Sequence, residues 1–203
     1  MRSDAHHAMR ARLLDCALDM VAEGGVEALS LRAIARRARV SHGSPLRHFS
    51  GRAELLSAVA SEGYRRLADR SDNALRACGA QATPAQRLRA VAFAYVEFGV
   101  ANPGLHELMA RHDLLLQSDP ELGTLSRSLF EKAVELVRDR QQDECWHSEI
   151  ESSRLTAVLW AALEGFTHLW LINSIARAAG PVSLNEMVAL ALQALDIAPR
   201  VQK

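Results

Sequence analysis

Apolar residues recur every three or four positions from about residue 7 onward, and strict alternation is rare. That spacing predicts helices, not strands. Sparse β-branched residues and an abundance of Ala, Leu, Arg and Glu point the same way. The first predicted helix runs from about His7 to Glu23, with Leu14, Ala17, Leu18 and Val21 on its apolar face, and Gly24-Gly25 ends it. Ser30 is placed to cap a short helix, Leu31 to Ala38, with Ile34 and Ala35 inward. Val40 lies in a turn, and Ser41 caps a second short helix ending near His48. Phe49 is the next large apolar group. Ser50-Gly51 then breaks the chain before a longer helix from Arg52 to about Cys78.

The remainder repeats this pattern. Thr83-Pro84 opens a helix through Ala101, since proline is tolerated at the first helical position. Asn102-Pro103-Gly104 breaks it, and a short helix follows from Leu105 to Arg111. Asp119-Pro120 opens another to about Arg140, and the polar residues Gln141 to Glu144 read as a loop. Ser148 opens a long helix to Ala179, which Gly180-Pro181 stops. Ser183 with Glu186 has the spacing of a capping box for a last helix ending near Leu195. The expected fold is all-α, with about nine helices and neither an internal repeat nor a low-complexity linker.

Composition narrows the class. Apolar residues make up 49% of the chain, which a packed core requires and a disordered protein lacks. The longest apolar stretch, Leu155 to Ile175, contains Glu164, His168 and Asn173, so a buried helix is expected there and not a membrane span. Residues 1–7 have no apolar core, so no secretory signal is expected. Cys16, Cys78 and Cys145 are odd in number and widely spaced, which suits small, free, buried thiols in the cytoplasm. His106, His112 and His168 have no diagnostic metal-ligand spacing, and neither a metal nor a cofactor is expected. A helical enzyme would need a phosphate-cradling glycine loop, a nucleophile elbow or a paired-histidine motif, and none is present. The net charge is zero, but residues 1–66 hold eleven arginines and no lysine against seven acids. That basic excess suits a module that meets a polyanion, as it also suits an ordinary solvated face.

Two short capped helices joined by a tight turn are the physical signature of a helix-turn-helix. The second of them has few apolar side chains. Its outward candidates, His42, Gly43, Ser44, Arg47 and His48, offer donors to phosphates and base edges at a helix start. The run from Ser30 to Leu56 resembles the TetR/AcrR family of regulators. The Ile34-Ala35 pair, Val40-Ser41, Gly43, the His48-Phe49 ending and the basic residue three positions later all fall in register. The upstream helix with its Gly24-Gly25 turn fits too, and the match covers roughly residues 7–67.

The resemblance implies roles for individual residues. Ser30 caps the first short helix with its backbone facing a phosphate. Ser41, Ser44 and His48 contact phosphates, Gly43 permits close approach, and His42 and Arg47 read bases. Arg52 corresponds to the family's phosphate-clamping lysine, while Ile34, Val40 and Phe49 are core. Two positions depart from the family: Arg39 stands where a turn glycine is usual, and Leu46 where tyrosine is frequent. These are also the positions at which a member that had lost operator binding would show it.

Residues 68–198 are read as a ligand-binding and dimerisation domain following a DNA-binding domain over 7–67. The segments Ala94–Phe98, Asn102–Met109 and Trp160–Phe166 resemble a C-terminal subgroup named for a Trp-His-Gly element, with Glu164 in place of the histidine. A pocket between helices of such a bundle would draw on Phe93, Phe98, His106, Met109, Phe130, Trp160, Phe166 and Trp170, each of which also suits plain core. The last two helices are apolar beyond one face, which suggests a subunit interface. By resemblance the interface is a four-helix bundle from two subunits. The implied protein is a cytoplasmic, non-enzymatic homodimer. It binds a pseudo-palindromic double-stranded operator, acts as a repressor, and is released by an apolar or amphipathic small molecule. The residues themselves do not separate repression from activation.

Overall fold

The computed structural model describes residues 2–195, so residue 198, the expected end of the second domain, lies outside the described residues. The described chain is helical: α1 Arg2–Gly24, α2 Leu31–Arg37, α3 Arg52–Cys78, α4 Pro84–Ala101, α5 Pro103–Ala110, α6 Pro120–Glu144, α7 Ser152–Leu171, α8 Ser174–Ala179 and α9 Leu184–Ala194. Two 3-10 turns, Val26–Ala28 and Pro45–Arg47, interrupt the N-terminal region. No helix among the described residues is long and apolar enough to cross a membrane.

The total of nine agrees with the sequence reading, but its partition differs in three places. The helix expected over Ser41–His48 is reduced to the 3-10 turn Pro45–Arg47. Pro45 has no N–H to bond back to Ser41, so an α-helix cannot propagate through it. The helix expected over Ser148–Ala179 starts later and is split in two. Glu151, not Ser148, caps α7, its carboxylate accepting from the N–H groups of Ser153 and Arg154 at 3.0 Å each. Asn173 then breaks the helix by taking a left-handed conformation at φ 59°, which asparagine tolerates better than most residues. The loop expected over Gln141–Glu144 is helical, because the buried Gln141 amide is bound to the connection that follows. It donates to the carbonyls of His147 (2.8 Å) and Ile150 (2.9 Å), and Ser152 donates to its oxygen at 2.7 Å.

The chain divides into two compact units: the described residues up to Arg66 together with Asn102–Ser126, and Leu67–Ala101 together with the residues from Arg127 onward. In the first unit, α1 buries Leu13, Ala17 and Val21. Ala17 and Val21 belong to the predicted stripe, but Leu13 completes it, whereas Leu14 and Leu18 are only half-buried. The same unit buries Val26, Leu29, Ile34, Phe49, Leu55, Leu105 and Leu108, and α1 packs against α2, the first 3-10 turn and α5. Glycine permits the closest approach. A Cβ at Gly104 would lie 2.5 Å from the Val21 carbonyl oxygen, so α5 can seat against α1 only without a side chain there. Ser57 receives the Leu116 N–H at 2.8 Å, and Arg65 pairs with Glu121.

In the second unit, Leu88, Ala92 and Val96 of α4, Leu136 and Val137 of α6, Leu155, Leu159 and Leu163 of α7, and Val188 and Leu192 of α9 form one core with Trp146. The Arg140 guanidinium is buried 5.2 Å from the Trp146 ring centroid. Ser183 and Glu186 form the predicted capping box on α9, and Thr83 and Gln86 form a reciprocal one on α4. The three cysteines are free, but Cys16 and Cys78 are half-buried and Cys145 is exposed, so none is the fully buried residue expected.

Gly104→Ala should therefore destabilise the protein by roughly 1–3 kcal/mol, the usual effect of forcing an extra methyl into a packed contact. Denaturant unfolding monitored by circular dichroism measures it, and a change within experimental error would refute the close-approach role.

Candidate nucleic-acid interface

A helix of seven residues such as α2 leaves most of its terminal backbone groups unpaired within itself. Ser30 satisfies one at the start, its hydroxyl oxygen accepting from the Ala33 N–H at 3.1 Å. At the far end Ala38 donates to Ile34 at 2.8 Å, Arg39 to Arg36 at 3.2 Å and Val40 to Ala35 at 3.0 Å. This winding puts Arg39 at φ 54°, the left-handed region. The turn thus has the backbone that favours glycine, yet carries arginine.

The segment after the turn closes by backbone bonds from Ser44 to Ser41 (2.9 Å), Arg47 to Ser44 (3.1 Å), and His48 and Phe49 to Pro45 (3.0 and 2.9 Å). Pro45 and Phe49 are buried, and Arg10 lies 5.0 Å over the Phe49 ring. Ser41, His42, Gly43, Leu46 and Arg47 are exposed, while Ser44 and His48 are half-buried. A Cβ at Gly43 would meet nothing within 4 Å, so that backbone faces open space. Of the residues expected to touch DNA, those from Ser41 to His48 thus fall on one short segment, most of it solvent-facing.

His48 has a structural side as well. Its ring lies 4.3 Å from that of His6, and its Nδ1 is enclosed without a hydrogen-bond partner among the described residues. Burial pushes the imidazole below its ordinary value of 6.5, and the positive charges of His6, Arg10 and Arg47 act in the same direction.

The arginines sort into two groups. Arg12 donates to the Ala38 carbonyl at 2.6 Å. Arg37 makes a forked pair with Glu23 at 2.6 and 2.7 Å, which holds the Glu23 carboxyl below its ordinary range. Arg52 gives Nε to the Leu29 carbonyl (2.9 Å) and Nη2 to that of Val26 (3.2 Å), with Glu27 3.9 Å away. These three support the fold around α2. Arg32, Arg36, Arg39 and Arg47 are exposed and have no intramolecular side-chain partner among the described residues. The sequence reading gave no role to Arg32 or Arg36. The available signal was that no acid lies three or four positions from either, so neither can pair along its own helix.

The eight candidate effector-site residues are dispersed. His106 and Met109 are buried in the first unit, and Phe98 is buried in the second. Phe93, Phe130, Phe166 and Trp170 are half-buried, with Phe166 stacked on Trp170 at 6.3 Å. Trp160 is 46% exposed, its indole N–H donating to the Tyr95 hydroxyl at 2.9 Å, and that hydroxyl donates to Glu164. A cavity of about 180 Å³ in the first unit is lined by Tyr64, His112, Leu115, Gln117, Asp119, Leu122, Gly123 and Ser126, none of them among the eight.

Arg39→Gly should raise unfolding stability by about 1 kcal/mol, because it relieves a left-handed non-glycine residue; a lower thermal midpoint would contradict this. For His48 the neutral form is favoured in the fold, so its contribution is complete above pH about 6.5 and is lost as the pH falls below that value. Unfolding midpoints of the wild type should drop more steeply over this acid range than those of His48→Gln, and parallel curves would count against the burial effect.

Comparison with known proteins agrees with this geometry. Residues 13–59 match the model of bacterial regulatory proteins of the tetR family, and residues 88–195 match the tetracyclin repressor-like C-terminal domain. The HTH-type transcriptional repressor KstR of Mycolicibacterium smegmatis is 31% identical over 137 residues, covering 65% of this chain and 66% of that protein. The chain thus spans just under two thirds of that curated relative. A Rhodococcus protein of unknown function superposes with a TM-score of 0.76 at 28% identity, covering 92% of each chain. The regulator FadR of Bacillus subtilis, in complex with stearoyl-CoA, superposes with a TM-score of 0.61 at 16% identity, covering 92% of this chain and 96% of that one. With both halves matched in register, this chain belongs to the TetR family of bacterial regulatory proteins.

Proposed function

We propose that this protein is a cytoplasmic transcriptional repressor that binds a pseudo-palindromic DNA operator as a homodimer and leaves it on binding a small apolar or amphipathic effector. The observation that carries this reading is the largely solvent-facing segment Ser41–Arg47 together with Arg32, Arg36 and Arg39; these three and Arg47 have no internal side-chain partner among the described residues. Residues 7–67 are the DNA-binding module and residues 68–198 the effector-binding and dimerisation module. His42 and Arg47 read base edges, while Ser30, Ser41, Ser44, His48 and Arg52 address phosphates and Gly43 permits close approach. Arg52 does so as a cation already fixed by the Leu29 and Val26 carbonyls. Arg32 and Arg36 join them as mobile phosphate partners. The KstR relative is a repressor, which supports that sign of regulation.

Dimerisation is supported by a strip of large apolar side chains left exposed among the described residues. Val158, Leu169 and Ile172, at helical spacing along and just past α7, and Leu190 on α9 are 63%, 45%, 53% and 56% exposed. Two such subunits present two recognition segments to two half-sites. For the effector, the candidates are Phe93, Phe98, His106, Met109, Phe130, Trp160, Phe166 and Trp170. The Bacillus subtilis FadR complex indicates that this fold accommodates a long acyl chain. For such an effector to release the operator, it must bind the DNA-competent and DNA-incompetent conformations with different affinity.

Selection from random duplex DNA should return inverted half-sites. Arg47→Ala should change the preferred bases, whereas Arg36→Ala should weaken all sites alike and reduce the logarithmic salt slope by about 1. Recovery of no enriched sequence would refute the reading, and an unchanged salt slope for Arg36→Ala would remove that residue from the phosphate contacts.

A further inference from the structure

We propose that Leu46 reads a thymine methyl group in the major groove and is thereby a specificity-determining residue; this inference rests on the operator-binding reading above. Leu46 is 59% exposed and follows the buried Pro45 within the 3-10 turn. The inner side of that turn is occupied by Pro45 and Phe49, so Leu46 does not serve the core. Its exposed companions on the segment, Ser41, His42 and Arg47, are all polar, and Gly43 has no side chain. A leucine among them can neither donate nor accept a hydrogen bond.

Pressed against a phosphate or a polar base edge, it would remove water and offer nothing in exchange. The major-groove edge of DNA presents one apolar group, the C5-methyl of thymine. A surface that brings a leucine into that groove alongside Arg47 therefore favours a thymine at the matching position of each half-site and disfavours cytosine, whose exposed amine would lose its water. Leu46 adds sequence information of a kind that the arginines and serines around it cannot supply.

The test uses the operator recovered by selection, with thymines replaced one at a time in each half-site by deoxyuridine. This removes the methyl and leaves every base-pairing group intact. With the wild-type protein, one replacement per half-site should weaken binding roughly fourfold, the loss expected for withdrawing one methyl from apolar contact. With Leu46→Ala, whose thermal midpoint should match the wild type because the side chain is exposed, that replacement should have no further effect. The two losses would then fail to add, as expected of groups in contact. Deoxyuridine that is neutral at every position, or a Leu46→Ala protein as sensitive to it as the wild type, would overturn the assignment. Failure of the wild type to enrich any sequence would instead overturn the operator-binding reading itself, and this inference with it.

Discussion

The N-terminal half of this protein depends on how a seven-residue helix satisfies its own ends. So short a helix has more free backbone donors and acceptors than internal bonds, and it is marginal alone. Here the groups around it are supplied from outside. Ser30 receives an N–H at the start, Arg12 donates to the Ala38 carbonyl at the end, and Arg52 holds the carbonyls of the preceding connection. The helix stands in a definite place because those distant side chains reach it. The recognition segment is in turn positioned by the turn that leaves that helix.

The same satisfaction explains why the arginines of this cluster differ in how far they are held by the fold. Among the described residues, Arg12, Arg37 and Arg52 are held by carbonyls or carboxylates, whereas Arg32, Arg36, Arg39 and Arg47 are not. A formal count of charge treats all seven alike. The fold separates those that build the scaffold from those left facing solvent. Arg39 belongs to the second group despite a backbone that would favour glycine, and left-handed residues retained against their local preference often mark working surfaces.

In the second unit the organising element is the packing of α4 against α7, with Leu88, Ala92 and Val96 facing Leu155, Leu159 and Leu163. Glu164, which replaces the subgroup's histidine, is not left idle by the exchange: it accepts the Tyr95 hydroxyl, which in turn receives the Trp160 indole N–H. That polar chain joins the two helices at the edge of their apolar seam. Trp160 is thereby fixed at its polar end while much of its ring stays exposed.

Local chemistry is what the sequence by itself determined. The helical period, the caps at Ser30, Thr83, Asp119 and Ser183, and the register from Ile34 to Phe49 act over a few residues, so spacing reveals them. Only the tertiary structure decided the rest. Whether Arg52 is free or bound depends on carbonyls more than twenty positions away. The exact buried stripe of α1 depends on where α5 sits, set by the missing Cβ of Gly104. The long helix expected up to Ala179 breaks at Asn173, and the polar run from Gln141 stays helical because its side chain is claimed by carbonyls of the next connection. Each of these outcomes is a competition between a local preference and a distant partner. A linear pattern records the preference and not the distance.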